Sequence, residues 1–387
     1  MKKLLSVIVF VVVASAVALV YFQYQSNQPQ PDKEQLQSDI AAAEESYKKD
    51  VTSTESFYTQ LLSIEQYLDS LTKRQKAGSL FMVNIFGTSL TDEAKQLINR
   101  NHPGGIIMMS GNITGPVQLT SLISNVRITT DYEMLIAVDQ EGYPVARVEW
   151  EKYADANTAV LGANTSAAEI SEMYSSRSKQ LSKLGFDINF APVADISYPG
   201  SWVTDRSFSS DSAKVTNIVT AIVKQDNPGG TTHSVKHFPG LGRATIDSHA
   251  QLPVIDASKA DMMASDLLPF QSAISAGIPT VMIGHAIYPN LDADNPASVS
   301  KLIQTDLLRG EMDFYGVIVS DDMKMGALDG IENRYAKAVL AGTNIVVLID
   351  TYDKIDAAVT QVSTQVDEAI LNERLRKVIK TLLGGRV

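Results

Sequence analysis

The stretch from Lys236 to His249 places two histidines, a lysine and an aspartate in a loop punctuated by Pro239, Gly240 and Gly242, directly after an apolar run. Loops at strand ends are where rigid folds hold reactive groups. In Asp247-Ser248-His249 the spacing lets a carboxylate orient an imidazole and tune its charge, which suits the ring to proton transfer near neutral pH. A turn carrying a surface histidine is the plainer alternative. In Val319-Ser320-Asp321-Asp322 a buried strand ends in two carboxylates. One can act as a nucleophile; the other can cap the next helix. Asp321, nearer the strand end, is the better nucleophile candidate. Asp139 and Glu141 follow the apolar run Leu135–Val138: Asp139 can accept from hydroxyls, while Glu141 can cap or orient. Arg206, in Asp205-Arg206-Ser207-Phe208, is either a fixed donor or half of a surface ion pair. His233 and His237 lie four apart, but on a strand that spacing does not force two rings onto one ion, and no acidic third ligand stands nearby. Neither a metal nor a cofactor is implied.

These groups need a support that delivers strand ends to one place. Short apolar, β-branched runs alternate with polar helical stretches from about Leu80 onward: Leu80–Ile85, Gly105–Met109, Leu135–Val138, Phe186–Phe190, Thr231–Val235, Thr280–Ile283, Gly316–Val319 and Ile345–Leu348. Such alternation implies a parallel sheet with right-handed crossovers. Eight units over about 300 residues fit an α/β fold of the (β/α)8 TIM-barrel type. A doubly wound open sheet is the competing arrangement, but no G-x-G-x-x-G follows the first strand. Polar residues come directly after the apolar runs: Asp139, Asp195, Lys236 with His237, His285, and Asp321 with Asp322. In a barrel all of them converge on the C-terminal mouth.

The chain has 387 residues, 44% hydrophobic and 20% charged, so a packed core is expected. A net charge of −11 argues against nucleic acid as a partner. The absence of cysteine excludes disulfides, thiolate nucleophiles and a lipid-modified cysteine. Lys2 and Lys3 precede an apolar stretch, Leu4 to Phe22, long enough to span a bilayer. Residues 1–25 therefore read as a transmembrane signal anchor, with the remainder outside the cytoplasm at the cell membrane. A cleaved signal peptide, cut near Ala14-Ser15-Ala16, would instead release the protein. Residues 26–67 read as a polar linker and a helical stalk, and 68–387 as the catalytic barrel.

Together these segments resemble glycoside hydrolase family 3, in its single-domain β-N-acetylglucosaminidase branch. The resemblance is ordered. It runs through Gly78-Ser79-Leu80-Phe81-Met82-Val83, Gly104-Gly105-Ile106-Ile107-Met108, Ala137-Val138-Asp139-Gln140-Glu141-Gly142, Asn189-Phe190-Ala191-Pro192-Val193-Ala194-Asp195 and Asp205-Arg206-Ser207-Phe208. It continues through Lys236-His237-Phe238-Pro239-Gly240, Asp247-Ser248-His249, Pro296-Ala297-Ser298-Val299-Ser300 and Val319-Ser320-Asp321-Asp322-Met323. It implies a retaining exo-glycosidase acting on terminal β-linked N-acetylhexosamine of cell-wall glycans. Asp321 would be its nucleophile and His249 its acid/base, oriented by Asp247 in place of the usual second carboxylic acid. Asp139, Arg147, Arg206, Lys236 and His237 would bind the terminal sugar.

The chain departs from the family pattern at Leu241, where a histidine is usual, and at Tyr143-Pro144, where Gly-Arg is usual. It also lacks an arginine often found near Gly111. These changes bear on loop geometry and substrate preference. The alternatives are a glycosidase or phosphorylase of other sugar specificity, and a barrel that binds wall glycan without cleaving it.

Overall fold

The computed structural model describes residues 61–225 and 229–384. Eight parallel strands form one sheet: β1 (Phe81–Val83), β2 (Gly105–Met108), β3 (Leu135–Val138), β6 (Ile188–Asn189), β7 (Thr232–Phe238), β8 (Thr280–Ile283), β9 (Val317–Ser320) and β10 (Val346–Leu348). A short antiparallel hairpin, β4 (Gln140–Gly142) with β5 (Val145–Ala146), follows β3. The strand order is β10-β1-β2-β3-β6-β7-β8-β9. The two ends meet through a parallel bridge between Val319 and Ile345, and the Ser320 amide donates to the Ile345 carbonyl at 2.9 Å. The ring so formed is TIM-barrel-like, which disposes of the open-sheet alternative.

The strands are nearly continuous apolar runs because they are covered on both faces; every residue of β2, β3, β8 and β9 is buried. The helices between them begin where small polar residues can satisfy the first free amides. Thr91 caps Asp92–Asn101, Ser166 forms a reciprocal box with Glu169 at the head of Ala167–Leu184, and Asp211 caps Ser212–Lys224.

The strands match the apolar runs or fall short of them at most ends, but two extend past them: β9 by one residue, to Ser320, and, more informatively, β7. The run ends at Val235, but β7 continues through Phe238, so Lys236 and His237 belong to the strand rather than to the loop after it. Their side chains both reach the site because the pairing of β7 with β8 slips between Val235 and Phe238. A slip of this kind re-aims a side chain that regular alternation would send to the opposite face.

Residues 61–70 are helical, and Ile64 and Leu68 are fully buried in the same apolar cluster as the strands. Glu65 pairs with both Nε and Nη2 of Arg376, at 2.6 and 2.7 Å. The anchor read at residues 1–25 and most of the linker and stalk lie outside the described residues. None of the described helices is long and apolar enough to cross a membrane.

Candidate active site

The site is built at the C-terminal ends of the strands. Glu141, on β4, is its hub: it is 2% exposed and its two oxygens take Arg206 Nε and Nη2 at 2.9 and 2.8 Å. Lys236 Nζ reaches Glu141 Oε1 and Asp139 Oδ1, each at 2.7 Å. Burial alone would raise the Glu141 carboxyl, but the charges of Arg206 and Lys236 hold it far below the usual carboxylate range. Lys236 is raised: burial opposes its charge, and Asp139 and Glu141 outweigh that cost. Glu141, Arg206 and Lys236 therefore stay ionised near neutral pH, fixed donors beside a carboxylate.

Glu141 is itself held from behind. The fully buried Arg177 donates to the Glu141 carbonyl at 2.7 Å, to Glu151 at 3.0 Å and to the Tyr153 carbonyl at 2.9 Å.

His237 is oriented by Asp195, at the end of the segment following β6. Its Nδ1 lies 2.7 Å from Asp195 Oδ2, and Arg206 Nη2 lies 3.2 Å from its Nε2. The same nitrogen is 3.9 Å from Asp321 Oδ2. Asp195 Oδ1 also accepts the Leu241 amide at 2.6 Å. Leu241, where the family usually has histidine, is fully buried among apolar residues, so here an apolar plug seats the loop. Tyr143, the other departure, is exposed.

The two aspartates after β9 have separated surroundings. Asp321 faces His237, and burial, which would raise its carboxyl, is outweighed by His237, His285 and Lys236, so it is held below the usual range. Asp322 points elsewhere: its Oδ1 accepts the amides of Ile349 at 3.0 Å and Lys324 at 3.1 Å, and burial pushes it up to about 6. His285, wholly buried after β8, sets its Nε2 3.0 Å from the Asp322 carbonyl, while its Nδ1 has no hydrogen-bond partner.

His249 is exposed, and its Nδ1 lies 2.7 Å from Asp247 Oδ1, which also accepts the His249 amide at 2.9 Å. Its loop is fastened on two sides. The Gly326 amide, beyond β9, donates to the His249 carbonyl at 3.0 Å, and the Trp202 amide donates to the Ala244 carbonyl at 3.1 Å. A side chain on Gly242 would overlap the Ile196 carbonyl, so only glycine lets the loop lie this close. The field of Arg206 links the two halves, since it feels Asp321 and also acts on Asp247.

Asp139, Arg206, Lys236, His237 and Asp321 thus come together, with the Asp247–His249 pair on the adjoining rim. Arg147 is not bonded to them. Its amide donates to Gln140 Oε1 at 2.8 Å, its Nε is buried without a partner, and no hydrogen bond or ion pair among the described residues ties it to the cluster. Three supporting residues, Glu141, Asp195 and Arg177, were not singled out as sugar-binding or catalytic. Glu141 lies two residues after Asp139, and Asp195 closes the segment that follows β6, so their positions were visible. Their partners were not.

A barrel with a carboxylate and an Asp–His pair on its rim, beside a buried cluster of paired ions, is an architecture suited to cleaving glycosides. The chain belongs to glycosyl hydrolase family 3: the sequence model of that family's N-terminal domain matches residues 72–381. It is a glycoside hydrolase. A β-hexosaminidase of Haemophilus influenzae is 32% identical over 278 residues, covering 70% of this chain and 79% of that one. A family 3 β-N-acetylglucosaminidase from Paenibacillus superposes with a TM-score of 0.78 at 29% identity, covering 82% of this chain; this chain spans 63% of that one. NagZ from Neisseria gonorrhoeae, in complex with N-trifluoroacetyl-D-glucosamine, gives 0.67 at 29% identity over 79% of this chain and 94% of its own.

Proposed function

We propose that the chain is a retaining exo-β-N-acetylglucosaminidase that removes terminal N-acetylhexosamine from cell-wall glycans. The supporting observation is that Asp321, held ionised, shares a rim with an Asp-oriented imidazole whose loop is bonded to the Asp321 loop. Asp321 attacks the anomeric carbon and forms a glycosyl ester. His249, its Nδ1 engaged by Asp247, uses Nε2 to protonate the departing oxygen as the glycosidic C–O bond breaks. Water then attacks the same carbon, His249 takes its proton, and the Asp321 carboxylate is released. Asp139, Arg206, Lys236 and His237 bind the terminal sugar, and Arg147 is assigned the same role on the family resemblance.

The β-hexosaminidase names of the relatives support the sugar assignment, and residues 1–25 support tethering at the outer face of the membrane. An imidazole does not repel an anionic acceptor as a carboxylate would, which keeps phosphate in the test. The experiment follows turnover of a chromogenic β-N-acetylglucosaminide, with and without phosphate, and records the anomer first formed. Hydrolysis with retained β configuration is expected. An inverted product overturns the mechanism; no turnover of any glycoside in an aryl panel overturns the enzyme assignment in favour of a glycan-binding barrel.

A further inference from the structure

Asp247 holds one nitrogen of His249, and the two backbone bonds hold its loop, yet neither sets how the exposed ring leans. The remaining contact is with Trp202, which precedes the 3-10 turn Thr204–Arg206. The His249 ring meets the indole edge to face, with centroids 5.7 Å apart and planes at 89°. The same indole carries the Arg206 guanidinium 5.4 Å from its ring centroid, and Arg206 is itself locked by Glu141. Trp202 is half-buried, and its Nε1 is buried without a hydrogen-bond partner. The indole is therefore kept in place by packing against the apolar core, by its two ring contacts and by the backbone hydrogen bond from Trp202 to the Ala244 carbonyl, not by a polar anchor on the ring. Edge-to-face packing and cation–π contact are favoured geometries for an indole.

We propose that Trp202 is the positioning residue for the proton-transferring imidazole, coupling the ring of His249 to the guanidinium of the sugar-binding pocket. The inference rests on the function proposed above. A general acid works only when its nitrogen lies within hydrogen-bond reach of the departing oxygen. Asp247 alone leaves the ring free to swing about that one bond. The indole closes off the swing on one side. Occupation of the sugar pocket, felt through Arg206, then bears on the orientation of the ring.

The test has one arm that needs activity and one that does not. The titratable and charged groups around His249 are Asp247 on its own loop, Arg206 across the indole and His285, which burial holds towards its neutral form, at the end of β8. In the Trp150→Phe variant Trp202 is the one tryptophan left, and a protonated imidazole in contact with an indole quenches its emission. Emission is expected to fall as pH is lowered, and that fall is expected to vanish when His249→Ala is added. A titration that survives His249→Ala overturns the contact, whatever the enzyme's activity. In the kinetic arm, Trp202→Ala is expected to lower kcat on a sugar leaving group by about tenfold or more, a part of the 10²–10⁴-fold that a general acid supplies. It should leave KM and turnover of an activated aryl glycoside nearly unchanged, and Trp202→Phe should restore most of the loss. Equal losses on both leaving groups with a raised KM overturn the positioning role. A parent enzyme inactive on all glycosides overturns the underlying function instead, and leaves the emission result to judge the contact.

Discussion

The amide of Gly326 donates to the carbonyl of His249 at 3.0 Å. Gly326 lies five residues beyond Asp321, after β9, and His249 lies after β7, so one backbone bond ties the loops that carry the proposed nucleophile and the proposed proton donor. The neighbouring Ala327 amide adds a second bond, to the Ser248 carbonyl at 3.2 Å. These bonds depend on Gly326, since a Cβ there would crowd the carbonyl oxygens of Ala250 and His249.

Replacing Asp321 with Asn removes the charge proposed to attack carbon while keeping the shape. Turnover of an aryl β-N-acetylglucosaminide is expected to fall by about a thousandfold or more, the order lost when a nucleophile is removed. Asp322→Asn keeps an acceptor for the Ile349 and Lys324 amides and should fall far less. Steady-state kinetics of the pair decides whether the two adjacent carboxylates divide their work as their surroundings indicate.

His249→Ala should discriminate between leaving groups. A sugar departs poorly without a proton, so its release is expected to slow by about a hundredfold or more. An activated phenolate needs little help and should be released at a rate closer to the parent's. Parallel kcat measurements on the two substrates check this, and equal losses would count against the acid/base role.

Glu141→Gln leaves Arg206 and Lys236 facing a neutral amide inside the protein. Breaking a buried ion cluster by removing one partner costs about 3–5 kcal/mol. A lower denaturation midpoint at neutral pH is the expected result, together with weakened binding of N-acetylhexosamine analogues. Urea unfolding and calorimetric binding measure the two effects separately.

His233, wholly buried on β7, is pushed down to about 4, first by burial and second by the charge of Arg177. Its folded pKa lies below its unfolded value near 6.5, so on acidification the unfolded chain takes up the proton first. Its contribution is complete above pH 6.5 and is lost as pH falls from there towards 4. The loss amounts to about 3 kcal/mol at most, at 1.36 kcal/mol for each pH unit. Thermal melts between pH 7 and 4 should slope downward, and His233→Phe, which retains a ring against Tyr174, should flatten that slope.

The fold was legible because its signal is local. Eight apolar runs, each followed by a polar helical stretch, prescribe a parallel sheet, and Asp139, Lys236, His237 and Asp321 stand where barrel strands end. The boundary at Lys236-His237 was misplaced where β7 slips against β8, an irregularity of strand pairing that the order of residues along one strand does not show. The residues proposed to bind sugar were legible in the same sense, through types and positions; the grip of Glu141 on Arg206, 65 residues away, was not. Nor was the hold of Asp195 on His237, or the indole of Trp202 against His249.

Hydrophobic period and strand-end chemistry are written residue by residue, so the amino-acid order alone determined the class of fold and the candidates for chemistry. Which carboxylate faces His237, which cation Glu141 holds and what steadies His249 depend on side chains brought together only when the ring closes. Charges and rings set far apart along the chain acquire their partners, and hence their ionisation, from that closure.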